Sequence, residues 1–350
     1  RRTEIAAAAD DMDIEDLIAD EPCIITISHG GYIKRVPMDT YRAQRRGGKG
    51  VAGMQTKDDD YVEHLFTATT HDSIMFFTPD GRVYIEKVYR VPEAARISRG
   101  KAVVNMLNLR EDERIAAMIR VRDLDDDTNL VMATSHGVVK KTRLSDYRNV
   151  RKDGIIAIRV DETDKLIEVK QTTGNNEILL LTRKGMSIRF PEGQLREQGR
   201  ATRGVRGIRL RDGDCVQSMA IVDNESSFMV CTSNGYGKKT EFEEYRQQNR
   251  GGSGIKAIKT SERNGEVVEG HAVHEDEALM LVTANGKMMR MKVSDFRVIG
   301  RNTQGVRLMN MDEGDKLVSA SPFQPEDEDV TDTLATEPSP IPVPPPAELS

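Results

Sequence analysis

Between residue 22 and about residue 323 the chain is built of short apolar runs rich in Val, Ile, Leu and Met, closed by Gly, Asn or Asp. No stretch keeps apolar residues at i, i+3, i+4 and i+7 for long enough to predict a sizeable amphipathic helix. The pattern predicts an all-β protein. Its strands pair through one signal, Ser/Thr-x-x-Gly after an apolar strand and before a basic one: Ser28 to Gly31, Thr78 to Gly81, Thr134 to Gly137, Thr182 to Gly185, Thr232 to Gly235 and Thr283 to Gly286. Asp80-Gly81, Asn234-Gly235 and Asn285-Gly286 predict hairpin turns of the primed types, whose twist matches that of the strands.

Successive hairpin glycines are 50, 56, 48, 50 and 51 residues apart. A second landmark, a small residue followed by Val or Ile, keeps step with them: Gly50-Val51, Ala102-Val103, Gly154-Ile155, Gly204-Val205, Gly254-Ile255 and Gly305-Val306. It follows the hairpin glycine by 19, 21, 17, 19, 19 and 19 residues, and in the second copy Ala102 replaces the glycine. Two landmarks in register over six copies define a repeat. A period near 50 residues with about four strands per copy predicts a propeller or a related radial array of four-stranded blades. One copy has too little core to stand alone, so neighbours must bury its faces.

Charge separates the ends from the body. Residues 1–21 hold eight acids against two arginines and read as an acidic linker with a short ordered end at Ile14, Leu17 and Ile18. Residues 324–350 hold seven acids, no Lys or Arg, and seven of the 13 prolines, the composition of a disordered tail. The formal charge of −6 therefore conceals a body, residues 22–323, with 49 bases against 42 acids. A basic body between acidic flanks points to a polyanion.

The cations recur by place. The strand after each turn carries Lys34 and Arg35, Arg82 and Lys87, Lys140 and Lys141, Arg189, Lys238 and Lys239, or Arg290 and Lys292. An arginine precedes each second landmark: Arg46, Arg99, Arg151, Arg200, Arg250 and Arg301. One such pair is an ordinary solvated face. Repeated in radial copies, the pairs predict a positive belt round the rim of a disc. The densest point is Gln44-Arg45-Arg46-Gly47-Gly48-Lys49-Gly50, where glycines let the backbone approach an anion and Arg45, Arg46 and Lys49 attract it. A belt suits duplex DNA bent round the edge. Sharp bending costs on the order of several kcal/mol, so many phosphate contacts are needed, with little base preference and steep salt dependence.

Other classes fit poorly. Lys49 is followed by Gly50 rather than Ser or Thr, which excludes a nucleotide P-loop. Cys23, Cys215 and Cys231 have no metal or redox spacing and suit a reducing cytoplasm. His271 and His274, with Glu275, precede a strand on which such spacing faces opposite ways, so no metal is expected. Six scattered histidines assemble no nucleophilic triad, and no catalytic site is expected. No apolar run reaches the ~20 residues of a membrane span. Competing readings are a protein-interaction β-propeller, against which the absence of Trp counts, and an enzyme propeller with a site in its central channel.

The heptad Gln44 through Gly50 is identical to the gyrase A box, and the six copies resemble the C-terminal domain of the A subunit of bacterial DNA gyrase, which is a type IIA topoisomerase. Thr70-His71-Asp72, Lys87-Val88-Tyr89, Pro92-Glu93-Ala94, Gly204-Val205-Arg206-Gly207-Ile208 and Gly300-Arg301-Asn302-Thr303-Gln304-Gly305-Val306 extend the likeness over about residues 12–323. The resemblance implies a six-bladed β-pinwheel, in which adjacent blades exchange a strand. It also implies wrapping of duplex DNA round the rim, so that negative supercoils can be introduced with a fixed hand. The implied partners are the rest of the gyrase A dimer and the gyrase B subunit in an A2B2 holoenzyme. ATP and Mg belong to those other parts, and the breakage-reunion part is missing, so the chain alone is no enzyme. A monomer in the bacterial cytoplasm, associated with the nucleoid, is expected. The topoisomerase IV A subunit is the related alternative, and the intact heptad favours gyrase.

Overall fold

The computed structural model describes residues 14–28, 30–37, 62–95, 98–111, 113–285 and 287–323. Six antiparallel sheets follow one another along them. The fourth shows the plan. Glu177–Thr182 and Met186–Pro191 form the hairpin, and Val216–Val222 pairs with the outer side of the first of these strands. The two-residue strand Ile255–Lys256 pairs with the outer side of the second, and it belongs to the fifth copy. Blades 1, 2, 3 and 5 likewise take their last strand from the copy that follows: Lys101–Ala102 in blade 1, Ile155–Ile156 in blade 2, Val205–Arg206 in blade 3 and Val306–Arg307 in blade 5. Blade 6, made of Ala278–Thr283, Met288–Lys292 and Leu317–Phe323, has three strands among the described residues. The architecture is the expected six-bladed propeller in its strand-exchanged form.

The hairpin signal has a chemical reason. Gly185 N donates to Thr182 O at 2.9 Å, and Met186 N donates to the buried Thr182 hydroxyl at 3.0 Å. The hydroxyl accepts the amide that the turn leaves over. Ser28, Thr78 and Thr134 do the same for Tyr32, Arg82 and Val138. The glycine sits at the fourth position of the turn with φ 78° at Gly185 and 79° at Gly81, while Pro79 at the second position of its turn cannot take a positive φ. In Asp80-Gly81 and Asn234-Gly235 the glycine thus closes the turn in the left-handed conformation instead of standing at the centre of a primed turn, and Gly286 lies outside the described residues.

The second landmark also needs correction in one copy. Gly100, not Ala102, is the structural equivalent of Gly254: its φ is +80°, and a Cβ there would lie 2.4 Å from Ile33 O, as one at Gly254 would lie 2.3 Å from Ser187 O. Gly100 follows Gly81 by 19 residues, so copy 2 keeps the common spacing. At this position the chain crosses directly over a carbonyl of the neighbouring strand. Only glycine tolerates both that approach and that φ.

The cores lie between blades. One cluster joins Val131, Ala133 and Val139 of blade 3 to Ile178, Leu180, Ile188 and Phe190 of blade 4. Another joins Leu179 and Leu181 to Phe228, Phe242 and Tyr245 across blades 4 and 5. Burial of both sheet faces is therefore a property of the stack, which is why no single copy stands alone. The third strands of successive blades pack on one another round the axis, and Leu317–Phe323 meets Val62–Thr69 of blade 1. There the carboxylate of Glu168 accepts Met219 N at 3.2 Å, Ser218 Oγ accepts Gly270 N at 2.9 Å, and Glu269 accepts Ala320 N at 2.7 Å. These struts tie blades 3 to 6 round the central channel. The exchanged strands lie at the opposite edge of each sheet and form the rim.

Residues 14–21 lie against blades 1 and 2. Thr70 Oγ1 donates to Ala19 O at 2.6 Å, Lys87 Nζ reaches Glu15 at 2.8 Å, and Arg122 reaches Asp20 at 2.7 Å. The bonds from Arg122 hold the Asp20 carboxyl well below the usual range.

Candidate nucleic-acid interface

The heptad Gln44 through Gly50 lies outside the described residues. The other candidate cations fall into three groups. Lys34, Lys140 and Lys238 are 0% exposed. Their amines grip the loop that the next copy lays across the blade. Lys34 Nζ donates to Ser98 O at 2.9 Å and Lys140 Nζ to Ala157 O at 2.6 Å and to Arg200 O. Lys238 Nζ donates to Gly300 O at 2.9 Å and to Arg301 O. Burial pulls the amines of Lys140 and Lys238 down to about 7. The expectation that these three meet phosphate on an outer face is corrected: the stack covers both faces of the sheet.

Lys141 and Lys239 are also buried, beside Glu192 at 3.7 Å and beside Glu275 and Val293 O respectively. They too are corrected from rim cations to buried ones, Lys141 in an internal ion pair and Lys239 paired with an exposed carboxylate. The second group bridges neighbouring parts of the surface. Arg35 pairs with Glu93 at 3.1 Å, Arg189 pairs with Glu177 and donates to Phe242 O at 2.7 Å, and Lys87 is held by Glu15. Arg82 donates to Gly154 O at 3.1 Å, and Arg99 stacks 3.8 Å from the centre of the Tyr32 ring. Arg250 donates to Arg206 O at 2.7 Å and Arg301 to Lys256 O at 2.8 Å. Arg250 and Arg301 are thus struts, each fixing the exchanged strand of the preceding copy. In the third group Arg151, Arg290 and Lys292 are exposed and Arg200 is half-buried.

The structure adds a set of cations that the sequence reading missed. They stand two and five residues after the landmark glycine: Arg159, Arg206 and Arg209, Lys256 and Lys259, and Arg307. All six are exposed on the rim, beside or within the exchanged strands. Arg307 donates to the Tyr236 hydroxyl at 2.9 Å, whereas the other five make no ion pair with another described residue. Their recurrence after the glycine was the readable signal. Backbone bonds hold the rim together behind them: Arg159 N donates to Thr202 O at 2.9 Å, Arg209 N to Gly252 O at 2.8 Å, and Lys259 N to Thr303 O at 2.8 Å.

Fold and rim together define a strand-exchanged β-propeller with a basic edge. A family profile described as DNA gyrase C-terminal domain, beta-propeller, matches residues 24–69, 72–122, 128–173, 176–223, 226–271 and 277–324, one match per copy, and the chain belongs to that family. It is 46% identical over 332 residues to the DNA gyrase A subunit of Staphylococcus epidermidis, covering 94% of this chain and 37% of that protein. Against the Escherichia coli gyrase A protein it is 42% identical over 341 residues, covering 96% and 39%. The chain therefore spans well under half the length of these relatives. A solved DNA gyrase A C-terminal domain superposes with a TM-score of 0.75 at 26% identity, covering 87% of this chain and 100% of that one. A DNA topoisomerase IV C-terminal domain gives 0.72 at 24% identity, covering 88% and 94%, a likeness of fold.

Proposed function

We propose that this chain binds duplex DNA with little sequence preference and wraps it round the rim. The wrap presents the next stretch of duplex to the strand-passing parts of DNA gyrase with one hand of crossing, so that supercoils of negative sign accumulate. The observation that carries this reading is the position of the exchanged strands. They form the outer edge of the blades, and exposed Arg and Lys stand within or beside them in blades 3 to 5. Phosphate contact needs only such cations and a close backbone, and cations set along a curved path offset the cost of bending. Family membership supports the same reading, and the intact heptad at 44–50 supports gyrase over topoisomerase IV.

In this reading the chain is a non-catalytic part of a bacterial, cytoplasmic A2B2 enzyme and needs no cofactor of its own. ATP and Mg act in the other parts. Closing nicked circles with ligase in its presence tests the wrap. The linking number should shift in proportion to bound chain at low salt and return to its unbound value at high salt. Binding without a shift would reduce the chain to a linear DNA binder, and absence of binding at low salt would remove the DNA reading altogether.

A further inference from the structure

The cations two and five residues after the landmark glycine are unevenly spread round the ring. Copy 1 has Ala52 and Gln55 there and copy 2 has Ala102 and Asn105. Copy 3 has Ile156 and Arg159, copy 4 Arg206 and Arg209, copy 5 Lys256 and Lys259, and copy 6 Arg307 and Asn310. The count of cations runs none, none, one, two, two, one. In a six-membered ring, copy 4 is opposite copy 1, the copy that carries Gln44 through Gly50. We propose that copies 4 and 5 form a second phosphate anchor, on the side of the ring away from the described strands of copy 1, in which Arg206, Arg209, Lys256 and Lys259 hold the duplex backbone.

This inference rests on the DNA-wrapping reading. Three observations carry it. The four side chains are exposed, and none is engaged by a described carboxylate, so no ion pair has to break before a phosphate is met. Their backbone is held in place: Arg250 donates to Arg206 O, Arg301 donates to Lys256 O, and the amides of Arg209 and Lys259 donate to the next loop. A preorganised set of cations loses less on binding than a flexible one. The candidate cations Lys140, Lys141, Lys238 and Lys239 of the hairpin strands are buried, whereas the four residues after the glycines are accessible. A duplex held at two opposed places must follow the rim between them.

The test is a chain carrying R206Q, R209Q, K256Q and K259Q, compared with the unaltered chain by fluorescence anisotropy on a labelled duplex over a range of NaCl. Each lost phosphate contact lowers the slope of log K against log[salt] by about 0.9, so four should lower it by roughly 3.6. The linking-number shift should fall in parallel, while the thermal midpoint stays put because the side chains are exposed. A control with K101Q and R110Q, on copy 2, should change the slope by less than about 1. An unchanged slope in the fourfold variant overturns the proposal, as does a control that loses as much per charge. Failure of the unaltered chain to bind duplex at low salt would instead overturn the wrapping reading itself, and this inference with it.

Discussion

Replacing Lys238 by Met removes a charge and three potential donated bonds while keeping the length and apolar stem of the side chain. Lys238 is buried, and its amine holds Gly300 O at 2.9 Å, Arg301 O, and Thr303 Oγ1 at 3.4 Å. A buried acceptor stripped of its donor costs about 1–3 kcal/mol. Gly300 is exposed, so the loop can turn one carbonyl to water. A loss of about 2 kcal/mol near neutral pH follows, expressed first as faster amide exchange at Ile299 and Thr303, whose amides donate to Lys239 O and Arg301 O.

The pH dependence of that loss tests the burial. Burial lowers the folded amine to about 7, whereas in the unfolded chain it has its ordinary value near 10.4. Below pH 7 both states are protonated. As pH rises above 7 the folded state sheds the proton and the unfolded state keeps it, so the unfolded state binds more protons and stability increases. The gap between the unaltered chain and K238M should therefore widen by up to about 1.4 kcal/mol per pH unit above 7. Urea unfolding from about pH 6 to about pH 9 reads this directly, because the other titrations cancel in the difference. A gap that narrows as pH rises, or no loss at all, would refute the assignment of Lys238 as a buried clamp.

Gly254→Ala places a Cβ 2.3 Å from Ser187 O at a φ of +71°, and should cost at least about 2 kcal/mol, with lost amide protection in Ile255–Lys256. Phe242→Ala opens the cluster in which the Phe242, Phe228 and Tyr245 rings lie 5.6–6.4 Å apart, and should lower stability by about 3–5 kcal/mol in a denaturant titration. A thiol reagent under native conditions should label half-buried Cys215 ahead of Cys23, whose thiol burial pushes up to about 11, and of Cys231, which burial pushes higher. Equal rates at all three, by mass spectrometry, would contradict that order.

The repeat is legible in the sequence because its landmarks are obligatory. Among the described residues, buried Ser or Thr hydroxyls and left-handed glycines shape the turns, and the second glycine lets the exchanged strand pass over a carbonyl. Copy 2 misleads because Ala102-Val103 imitates the landmark two residues beyond Gly100, and only the approach to Ile33 O separates them. The exchange itself has no local signature. Ser187 pairs with Ile255, 68 positions away, and that pairing exists only once neighbouring blades are stacked. The buried lysines mislead for a related reason. Alternation along a strand separates a wet face from a dry one, but here neighbouring blades cover both. The overlooked clue is substitution among copies: Lys34, Lys140 and Lys238 share their place with Tyr84, Ile188 and Met289. A place that accepts Ile and Met in the even copies is an interior place.

Strand exchange also explains why the buried and the exposed cations divide the work. In copies 2, 4 and 6 the rim loop belongs to one copy and the lysine that grips it to the blade before, as where Lys140 holds the loop at Arg200 and Lys238 the loop at Arg301. The position of the rim charges is therefore set by the packing between blades and not by the loop's own sequence. Loops of quite different composition can then be held in the same way, since the clamp binds carbonyls and ignores side chains. The same coupling means that a core substitution between two blades should displace the cations of the copy that crosses them. An array that registers its loops against the preceding blade keeps its rim cations aligned whatever the loops' own side chains, which is what the proposed DNA wrap would require.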